Sequence, residues 1–460
     1  MRATGGGRWF AGAILLAVLV RPIHAQDTTR ALEQGVRVGI TYTPGLRPGM
    51  LVMGSPGSVV LDSVRAILQR DLDYSDRFEM IFLPGAESLM VAMTAPAPRP
   101  PSGGAASSGV DGFVNYGLFE ALGADYAVAI RAVPETAAVV TVFDVRGRQP
   151  RRAIPLRLDS VTGPESRLAI HRVSDEVVRA AAGAPGIAAT RLLIIERDRA
   201  YRIDTDGADA LPVSRAGVKA MSPVWAPDGR RVAYMEFAAG AGRVYVQNIA
   251  SGERALVPPT AQHLNYALAF SPDGRTLAFT RSAEDGTHLF TYNLAENCCV
   301  QRLTADRFSD NLSPTFSPDG RRIAFSSNRP GTPQIYVMSA DGTGQELFAP
   351  FDYGVTGSSH APEWSPDGLN IAFHRDVAGI PQVFVMDVAS RRVRQLTSAG
   401  RNEDPTWAPD GRHLAFVSTR TGSRQVWIID LDTGRVRQLT RLGEARLPAW
   451  SPRIAEGTNP

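Results

Sequence analysis

The chain has 460 residues, of which 49 are basic and 46 acidic, so its formal net charge is only +3. A balance this mild gives no support for nucleic acid as a partner, and no long basic run changes that. A chain of this length is expected to form more than one domain.

The first 25 residues are typical of a secretory signal peptide. Arg2 and Arg8 precede an apolar run over residues 9–20, and small residues follow it. The run is too short to cross a bilayer as a helix. We therefore expect cleavage between Ala25 and Gln26 and an exported mature protein without a transmembrane segment.

Residues 26–186 interleave strand and helix patterns, which predicts an α/β domain. Strands are predicted at Val36–Ile40, Leu51–Met53, Phe78–Phe82, Tyr126–Ile130, Ala138–Asp144 and Ile154–Leu158. Helices are predicted at Val59–Leu72, in a short segment that ends near Gly123, and from about Glu165 to Ala181. Residues 95–109 are rich in Pro, Gly, Ala and Ser, and are expected to form a disordered loop.

One short phrase recurs five times further along the chain: an aromatic residue, Ser or Ala, and then Pro-Asp-Gly. The aspartates of the phrase are Asp228, Asp273, Asp319, Asp367 and Asp410, and they stand 45, 46, 48 and 43 residues apart. A period near 45 with strand-like flanks is typical of a β-propeller with four strands per blade. Pro, Asp and Gly suit the successive corners of a tight turn, so we interpret these carboxylates as turn residues and not as a catalytic set.

The two ends of the repeat region complement each other. Residues 447–452 begin a sixth phrase that stops after one inner strand, whereas residues 191–215 supply outer strands without an inner one. The sequence therefore predicts a six-bladed, all-β propeller over residues 187–460, closed by the C-terminal strand. We expect deletion of residues 447–460 to open the ring.

The only two cysteines, Cys298 and Cys299, are adjacent. An oxidising compartment permits disulfides, but neighbouring side chains of a strand point to opposite sides. Two thiols, free or oxidised between molecules, are favoured over a vicinal disulfide, and a zinc site needs more ligands than this pair.

The Pro-Asp-Gly turns all fall on one face of the propeller, so the variable loops mark the other. Loops that lead into the inner strands are predicted at residues 262–266, 309–311, 358–360, 401–404 and 444–446. Longer second loops are predicted at residues 328–334, 374–382 and 419–425. Recognition residues usually lie on such loops, so this channel mouth is the candidate site.

The whole layout resembles the TolB family of the Tol–Pal envelope system. Landmarks of the resemblance are Gly45–Gly49, Asp71-Leu72 with Arg77-Phe78, Leu122–Asp125, His171 with Ser174–Val177, and Pro448–Pro452. The resemblance implies a periplasmic, non-catalytic interaction scaffold that supports outer-membrane integrity and envelope constriction at cell division. It also implies that the propeller mouth receives the peptidoglycan-associated lipoprotein Pal and that the mature N-terminal segment engages TolA.

Carried over to this chain, the resemblance makes His263 the foremost Pal-contact candidate. The full Pal-type set is His263, Asn265, Asn311, Leu312, Ser313, His360, Glu403 and Arg446. The TolA-type set is Gln26, Asp27, Val36 and Arg37. The resemblance implies no catalytic residue, metal or cofactor, and it implies a monomer that associates with the outer membrane through Pal.

An enzyme is the main alternative. Peptidase propellers share the Pro-Asp-Gly phrase but need a G-x-S-x-G elbow, and residues 357–361 lack the final Gly. His360, Glu363 and His374 are weak metal-ligand candidates, and no H-E-x-x-H motif is present. A propeller lyase, another hydrolase, or a glycan-binding propeller remains open from the sequence.

Overall fold

The computed structural model describes residues 47–53, 58–82, 114–133, 136–158, 163–238, 240–349 and 357–454. All of them belong to one compact unit. The predicted strand at Val36–Ile40, the loop 95–109, the signal peptide and the TolA-type residues Gln26, Asp27, Val36 and Arg37 lie outside the described residues. Among the described residues, no helix combines the length and the apolar character that crossing a bilayer requires.

Within its described residues, the N-terminal module is a five-stranded sheet with three helices. Its strands are β1 (Gly49–Met53), β2 (Glu79–Ile81), β3 (Tyr126–Val133), β4 (Thr136–Asp144) and β5 (Gln149–Leu156), and its helices are α1 (Val59–Tyr74), α2 (Tyr116–Ala121) and α3 (Pro164–Ala182). The strand order is β2-β1-β3-β4-β5, with β1 parallel to both of its neighbours and the last three strands antiparallel. The predicted α/β alternation is confirmed.

Helical periodicity explains how α1 packs in this module. Leu61, Val64, Leu68 and Leu72 recur on one face and are buried in the core that α1 shares with the sheet and α3. The Ser58 Oγ caps α1 by accepting a hydrogen bond from the Leu61 N–H at 3.3 Å. The α3 helix ends at Gly183, whose φ of 79° suits a residue without a Cβ.

Six four-stranded antiparallel blades form the propeller, and blades 2 and 3 are joined into one eight-stranded sheet by a short parallel pairing of residues 286–287 with residues 309–310. Blade 1 contains β9 (Lys219–Trp225), β10 (Arg231–Ala238), β11 (Ala241–Asn248) and β12 (Arg254–Leu256). Blade 2 contains β13 (Asn265–Phe270), β14 (Thr276–Ala283), β15 (Gly286–Asn293) and β16 (Cys298–Arg302). Blade 3 contains β17 (Ser309–Phe316), β18 (Arg322–Ser327), β19 (Gln334–Ser339) and β20 (Glu346–Ala349).

The remaining blades follow the same pattern. Blade 4 contains β21 (Ser359–Trp364), β22 (Asn370–Val377), β23 (Ile380–Asp387) and β24 (Val393–Gln395). Blade 5 contains β25 (Asn402–Trp407), β26 (His413–Thr421), β27 (Ser423–Asp430) and β28 (Val436–Gln438). Blade 6 contains β29 (Ala445–Trp450), β6 (Arg191–Glu196), β7 (Arg199–Asp204) and β8 (Leu211–Pro212).

The ring closes as the sequence predicted. The C-terminal β29 pairs with β6, so strands from both ends of the propeller share blade 6. The inner strands β9, β13, β17, β21, β25 and β29 contact one another in that order, and β29 contacts β9. These six strands therefore surround the central channel.

The Pro-Asp-Gly phrases form the predicted turns between the first and second strands of blades 1 to 5. Asp319 shows the pattern, because its carboxylate accepts the N–H of Arg321 at 3.1 Å and Gly320 has a φ of 70°. Asp410 departs from it, since its carboxylate also bonds the ring of His413 at 2.7 Å. The turn interpretation is confirmed, and the Asp410 turn has an additional role described below.

Two local expectations were wrong. Cys298 and Cys299 form a vicinal disulfide, and Cys299 has a φ of 66° next to a register shift of β16. This left-handed residue breaks the strand alternation, so the two side chains no longer point apart. The long loops predicted at residues 374–382 and 419–425 are extended hairpins, because strand pairing continues to tight turns at Gly379 and Gly422.

The N-terminal module packs on the turn side of blades 5 and 6. The Arg412 Nη2 donates to the Asp76 carbonyl at 3.0 Å, and the Arg435 Nη2 contacts the Asp73 carboxylate at 3.2 Å. The Arg437 guanidinium lies 4.1 Å from the centre of the Tyr74 ring. The face with the variable loops is therefore the opposite end of the channel.

Candidate functional site

A bulge in every inner strand shapes the channel near its mouth. One non-glycine residue of each inner strand has a φ between 48° and 54°: Ser222, Ala267, Ser313, Ala361, Asp404 and Leu447. At each of them the pairing with the second strand shifts, with two inner-strand residues opposite one residue of the second strand. Such an extra residue re-aims the side chains around it.

The bulges give consecutive blades equivalent channel positions. Each bulge residue and the one before it are half-buried between two buried neighbours. The predicted residues Leu312, Ser313, His360, Glu403 and Arg446 all occupy these positions in blades 3, 4, 5 and 6. The structure therefore brings this part of the predicted set together around one opening.

Asn265 and Asn311 have a different place. Both side chains are fully buried, and the Asn265 amide donates to three carbonyl oxygens of its own loop and of blade 1. The Oδ1 atoms accept from Arg281 Nε at 3.0 Å and from Arg329 Nη2 at 2.9 Å. These two asparagines hold the mouth loops in position and do not present a surface.

The same polar unit recurs in blades 4 and 5. The Ser359 hydroxyl accepts from Arg375 Nε at 2.9 Å, and the Asn402 Oδ1 accepts from Arg420 Nη2 at 3.2 Å. All four guanidiniums also lie over aromatic rings of their own blade, as Arg420 does 4.7 Å from the Trp427 ring. The sequence signal was the regular spacing of 16 or 18 residues between each polar residue and its arginine.

His263 is exposed at the loop that leads into β13. Its carbonyl accepts the Gly242 N–H at 2.9 Å, so the loop is fixed against blade 1 while the ring remains accessible. Leu264 beside it is 38% exposed and forms an isolated β-bridge with Gly242 of blade 1. Gly242 is also the strand partner of Phe237, whose side chain is exposed. His263 thus lies at the edge of an apolar surface.

Further exposed apolar side chains lie on the same face. Phe308, directly before β17, is 79% exposed, and Arg307 lies 5.5 Å from its ring centre. Val377 and Ile380 flank the β22–β23 turn and are also exposed. Sequence analysis missed these residues because they follow no repeat. Several exposed apolar side chains on one loop-bearing face are typical of a protein-binding surface.

Titratable groups concentrate between blades 4 and 5. The His360 and His374 rings stack with their centres 5.4 Å apart, and the His374 Nδ1 accepts the Asp404 N–H at 3.3 Å. Burial lowers the pKa of His374 to about 4 and also lowers that of His360. Burial, together with the charge of Glu403, raises the pKa of Asp404 to about 6. At neutral pH this wall of the channel holds two uncharged imidazoles.

Glu363 lies deeper on the same inner strand as His360. Its Oε1 accepts hydrogen bonds from the Thr406 hydroxyl at 3.1 Å and from the Trp407 N–H at 3.0 Å. Burial raises the pKa of Glu363 to about 7. The Glu363 carboxyl group thus joins blades 4 and 5. Among the described residues, the ligand atoms of His360, Glu363 and His374 do not lie close enough together to hold one metal ion.

The family assignment follows from the repeat region. The family model described as "TolB beta propeller domain" matches residues 180–350 and 353–456, which is more than half of the chain. The chain belongs to the TolB β-propeller family. The predicted family resemblance is therefore confirmed.

Individual TolB proteins agree with this assignment. A Tol-Pal system protein TolB of Anaeromyxobacter dehalogenans (strain 2CP-C) is 38% identical over 168 residues, 36% of this chain and 38% of that protein. One from Anaeromyxobacter sp. (strain K) is 35% identical over 169 residues, with the same coverage. These matches span well under two thirds of either relative.

A solved structure supports the fold over a longer stretch. The crystal structure of TolB from Acinetobacter baumannii superposes with a TM-score of 0.73 and covers 90% of this chain and 99% of that one. The two sequences are 24% identical, so this comparison supports the TolB architecture alone.

Proposed function

We propose that this chain is a non-catalytic scaffold of the Tol–Pal system that binds the soluble domain of a Pal lipoprotein at the propeller mouth. The single observation that carries the proposal is the set of exposed apolar side chains on the mouth loops, led by Phe308. Membership of the TolB family and the names of the relatives support the choice of partner.

The mouth has the composition of a protein contact surface. Phe308, Leu264 and Phe237 supply exposed apolar area, and Arg307 lies close to the Phe308 ring. Aromatic and arginine side chains are the residues most often responsible for binding energy at such surfaces. His263, Leu312, Ser313, His360, Glu403 and Arg446 are proposed to make the surrounding contacts, and Asn265 and Asn311 to hold the loops.

The rest of the proposal concerns the N-terminal segment and the cellular role. Residues 26–37 are proposed to engage TolA after cleavage at Ala25, which places the mature, monomeric protein in the periplasm. There it is proposed to associate with the outer membrane through Pal and to support membrane integrity and constriction at division. No cofactor or catalytic group is assigned.

Calorimetry with the organism's own Pal domain tests the mouth. The wild type should bind with 1:1 stoichiometry, and both Phe308→Ala and His263→Ala should weaken binding, the former by about 30-fold if Phe308 is a hot spot. The matched control is Leu369→Ala, since Leu369 is 62% exposed but lies at a Pro-Asp-Gly turn on the opposite face. Equal weakening by Leu369→Ala and Phe308→Ala would move the site away from the mouth.

Two further outcomes separate the alternatives. Absence of Pal binding combined with cleavage of a peptide or glycan library would favour the enzyme alternative, and glycan binding without cleavage would favour a lectin-like propeller. Deletion of residues 26–37 should abolish capture of TolA and leave Pal binding measurable. N-terminal sequencing of exported protein should start at Gln26.

A further inference from the structure

Two buried histidines lie where the N-terminal module meets blades 5 and 6. His171 belongs to α3 of the module, and His413 belongs to β26 of the propeller. Each side chain is 1% exposed. The Pal site proposed above uses neither of them.

Carboxylates surround both rings in the same arrangement. The His171 Nδ1 lies 2.7 Å from the Asp71 carboxylate of α1, and its Nε2 lies 3.9 Å from Asp204 and 3.8 Å from Asp206 of the β7–β8 turn. His171 lies on the module and reaches carboxylates of the propeller, whereas His413 lies on the propeller and reaches a carboxylate of the module. The His413 Nδ1 lies 2.7 Å from Asp410, and its Nε2 lies 3.3 Å from Asp430 of the propeller and 3.4 Å from Asp76 of the module.

The contacts of both ring nitrogens identify the state of these rings. Around His413, the Nδ1 faces Asp410 and the Nε2 faces Asp430 and Asp76, while Arg412 lies 2.5 Å from Asp430 and Arg435 lies 2.7 Å from Asp76. A protonated ring offers an N–H to a carboxylate on both sides, whereas a neutral ring would turn a lone pair toward one of them.

The His171 cluster gives the same result. Its Nδ1 faces Asp71, its Nε2 faces Asp204 and Asp206, and the guanidiniums of Arg70, Arg167 and Arg191 pair with the carboxylates on the Nε2 side. The protonated ring again matches a carboxylate at each nitrogen. We propose that His171 and His413, in their protonated forms, are two reciprocal clamps that hold the N-terminal module on the propeller and release it when they lose their protons.

The surrounding groups keep both clamps charged at neutral pH. Burial opposes the charge on His171, but the charge and hydrogen bond of Asp71 outweigh burial and raise the pKa to about 9. Burial also opposes the charge on His413, and Asp410, Asp76 and Asp430 raise its pKa to about 9. A histidine with a raised pKa stabilises fully below its ordinary value of 6.5, and this stabilisation is lost as the pH rises through 9.

Other ionisable groups face the clamps and set the window for a test. Around His171 they are Arg70, Asp71, Arg167, Asp175, Arg191, Asp204, Asp206, Asp209 and Arg437, and around His413 they are Arg47, Asp73, Asp76, Asp410, Arg412, Asp430, Asp432, Arg435, Arg437 and Arg453. Burial raises the pKa of Asp175 to about 7, so roughly three quarters of this group is already ionised at pH 7.5. Burial lowers the pKa of Arg202, whose charge acts on Asp204 and Asp209, to about 10. The interval from pH 7.5 to 9.5 therefore contains most of the titration of the two histidines and only a minor part of that of Asp175 and Arg202.

Hydrogen exchange of the full chain measures release directly. After correction for the intrinsic rate, amides of α1 and α3 should exchange faster at pH 9.5 than at pH 7.5, by about 20-fold for each clamp that must open. The double variant His171→Gln/His413→Gln should exchange rapidly already at pH 7.5 and show no further pH effect. His288→Gln is the matched control, because His288 is equally buried but lies in blade 2 beside Asp285.

Three results would overturn the clamps. One is wild-type exchange in α1 and α3 that does not respond to pH, and another is a double variant that keeps the wild-type response. The third is stoichiometric Zn²⁺ binding that requires His413 and restores protection at pH 9.5, which would make this a metal site. If the variants do not fold, ¹³C-labelled histidine in the wild-type protein that begins at Gln26 decides: two of its six rings should titrate near pH 9, and midpoints below 7 for all six would contradict the proposal.

Discussion

Deletion of residues 447–460 removes most of β29 and with it the closure of blade 6. In the intact chain, Trp450 is 7% exposed, and its Nε1 donates to the Thr190 hydroxyl at 2.8 Å. Two further hydrogen bonds join Arg191 to Ser451, from the Arg191 N–H to the hydroxyl at 2.9 Å and from the Ser451 N–H to the carbonyl at 2.8 Å.

The magnitude follows from these contacts. Loss of a buried tryptophan side chain costs about 3–5 kcal/mol of unfolding free energy. Each of the three hydrogen bonds adds about 0.5–1.5 kcal/mol. The deletion should therefore remove about 5–9 kcal/mol, which is comparable to the entire net stability of a typical domain. We expect the truncated propeller to lose its cooperative thermal transition.

A point substitution distinguishes ring closure from simple loss of packing. Trp450→Ala should cost about 4–6 kcal/mol in denaturant unfolding and increase hydrogen exchange in β6 selectively. Trp364→Ala is the matched control, because Trp364 occupies the same position in blade 4 and is 4% exposed. The four strands of blade 4 follow one another along the chain, so this substitution does not affect ring closure. A truncated chain with an unchanged thermal midpoint, or β6 protection equal in the two variants, would refute closure through β29.

Three smaller predictions follow from individual side chains. Glu363→Gln should stabilise the protein at pH 8 by up to about 3 kcal/mol and give no gain at pH 4. The reason is that a buried carboxyl whose pKa is raised to about 7 destabilises the fold as the pH rises from 4.5. Identical denaturant unfolding curves of the wild type and the variant at pH 8 would contradict this. Asp410→Asn should cost about 3 kcal/mol, since it removes the negative charge that faces the His413 Nδ1, whereas Asp319→Asn at an exposed turn should leave the thermal midpoint unchanged. Mass spectrometry should detect no alkylation of the two adjacent cysteines before reduction and two carbamidomethyl groups after it, and alkylation without reduction would contradict the vicinal disulfide.

Much of the architecture could be predicted because it rests on local chemistry. Pro-Asp-Gly favours a tight turn, so its five copies located five blades, and the two ends of the repeat region supplied the sixth. The incomplete phrase that ends at Ser451 and Pro452 indicated which strand completes blade 6. Strand and helix periods likewise identified the elements of the N-terminal module.

The geometry of the mouth could not be predicted in the same way. The bulge residues include Ser222, Asp404 and Leu447, which share no chemistry, so their left-handed φ follows from strand pairing and not from residue type. Five of the six precede a proline, and Ala267 precedes Leu268. That recurrence is a usable signal, although it is only interpretable once the strand register is known.

Contacts between distant segments were also beyond the sequence. Asp71 and His171 stand 100 residues apart, and nothing local to either residue indicates the other. His171 entered the sequence analysis only as a family landmark, and Asp410 only as a turn residue. Both gain their electrostatic setting from the packing of the module on the propeller.

The pairing of β29 with β6 has a consequence for the order of folding. Arg191 and Ser451 are separated by 260 residues of chain, so β6 is synthesised long before its partner. During that interval the outer strands of blade 6 present an unpaired edge rich in Leu and Ile, which is the kind of edge that recruits other strands. The last strand thus completes the fold as well as the ring, because only the full propeller sequence can cover this edge of β6.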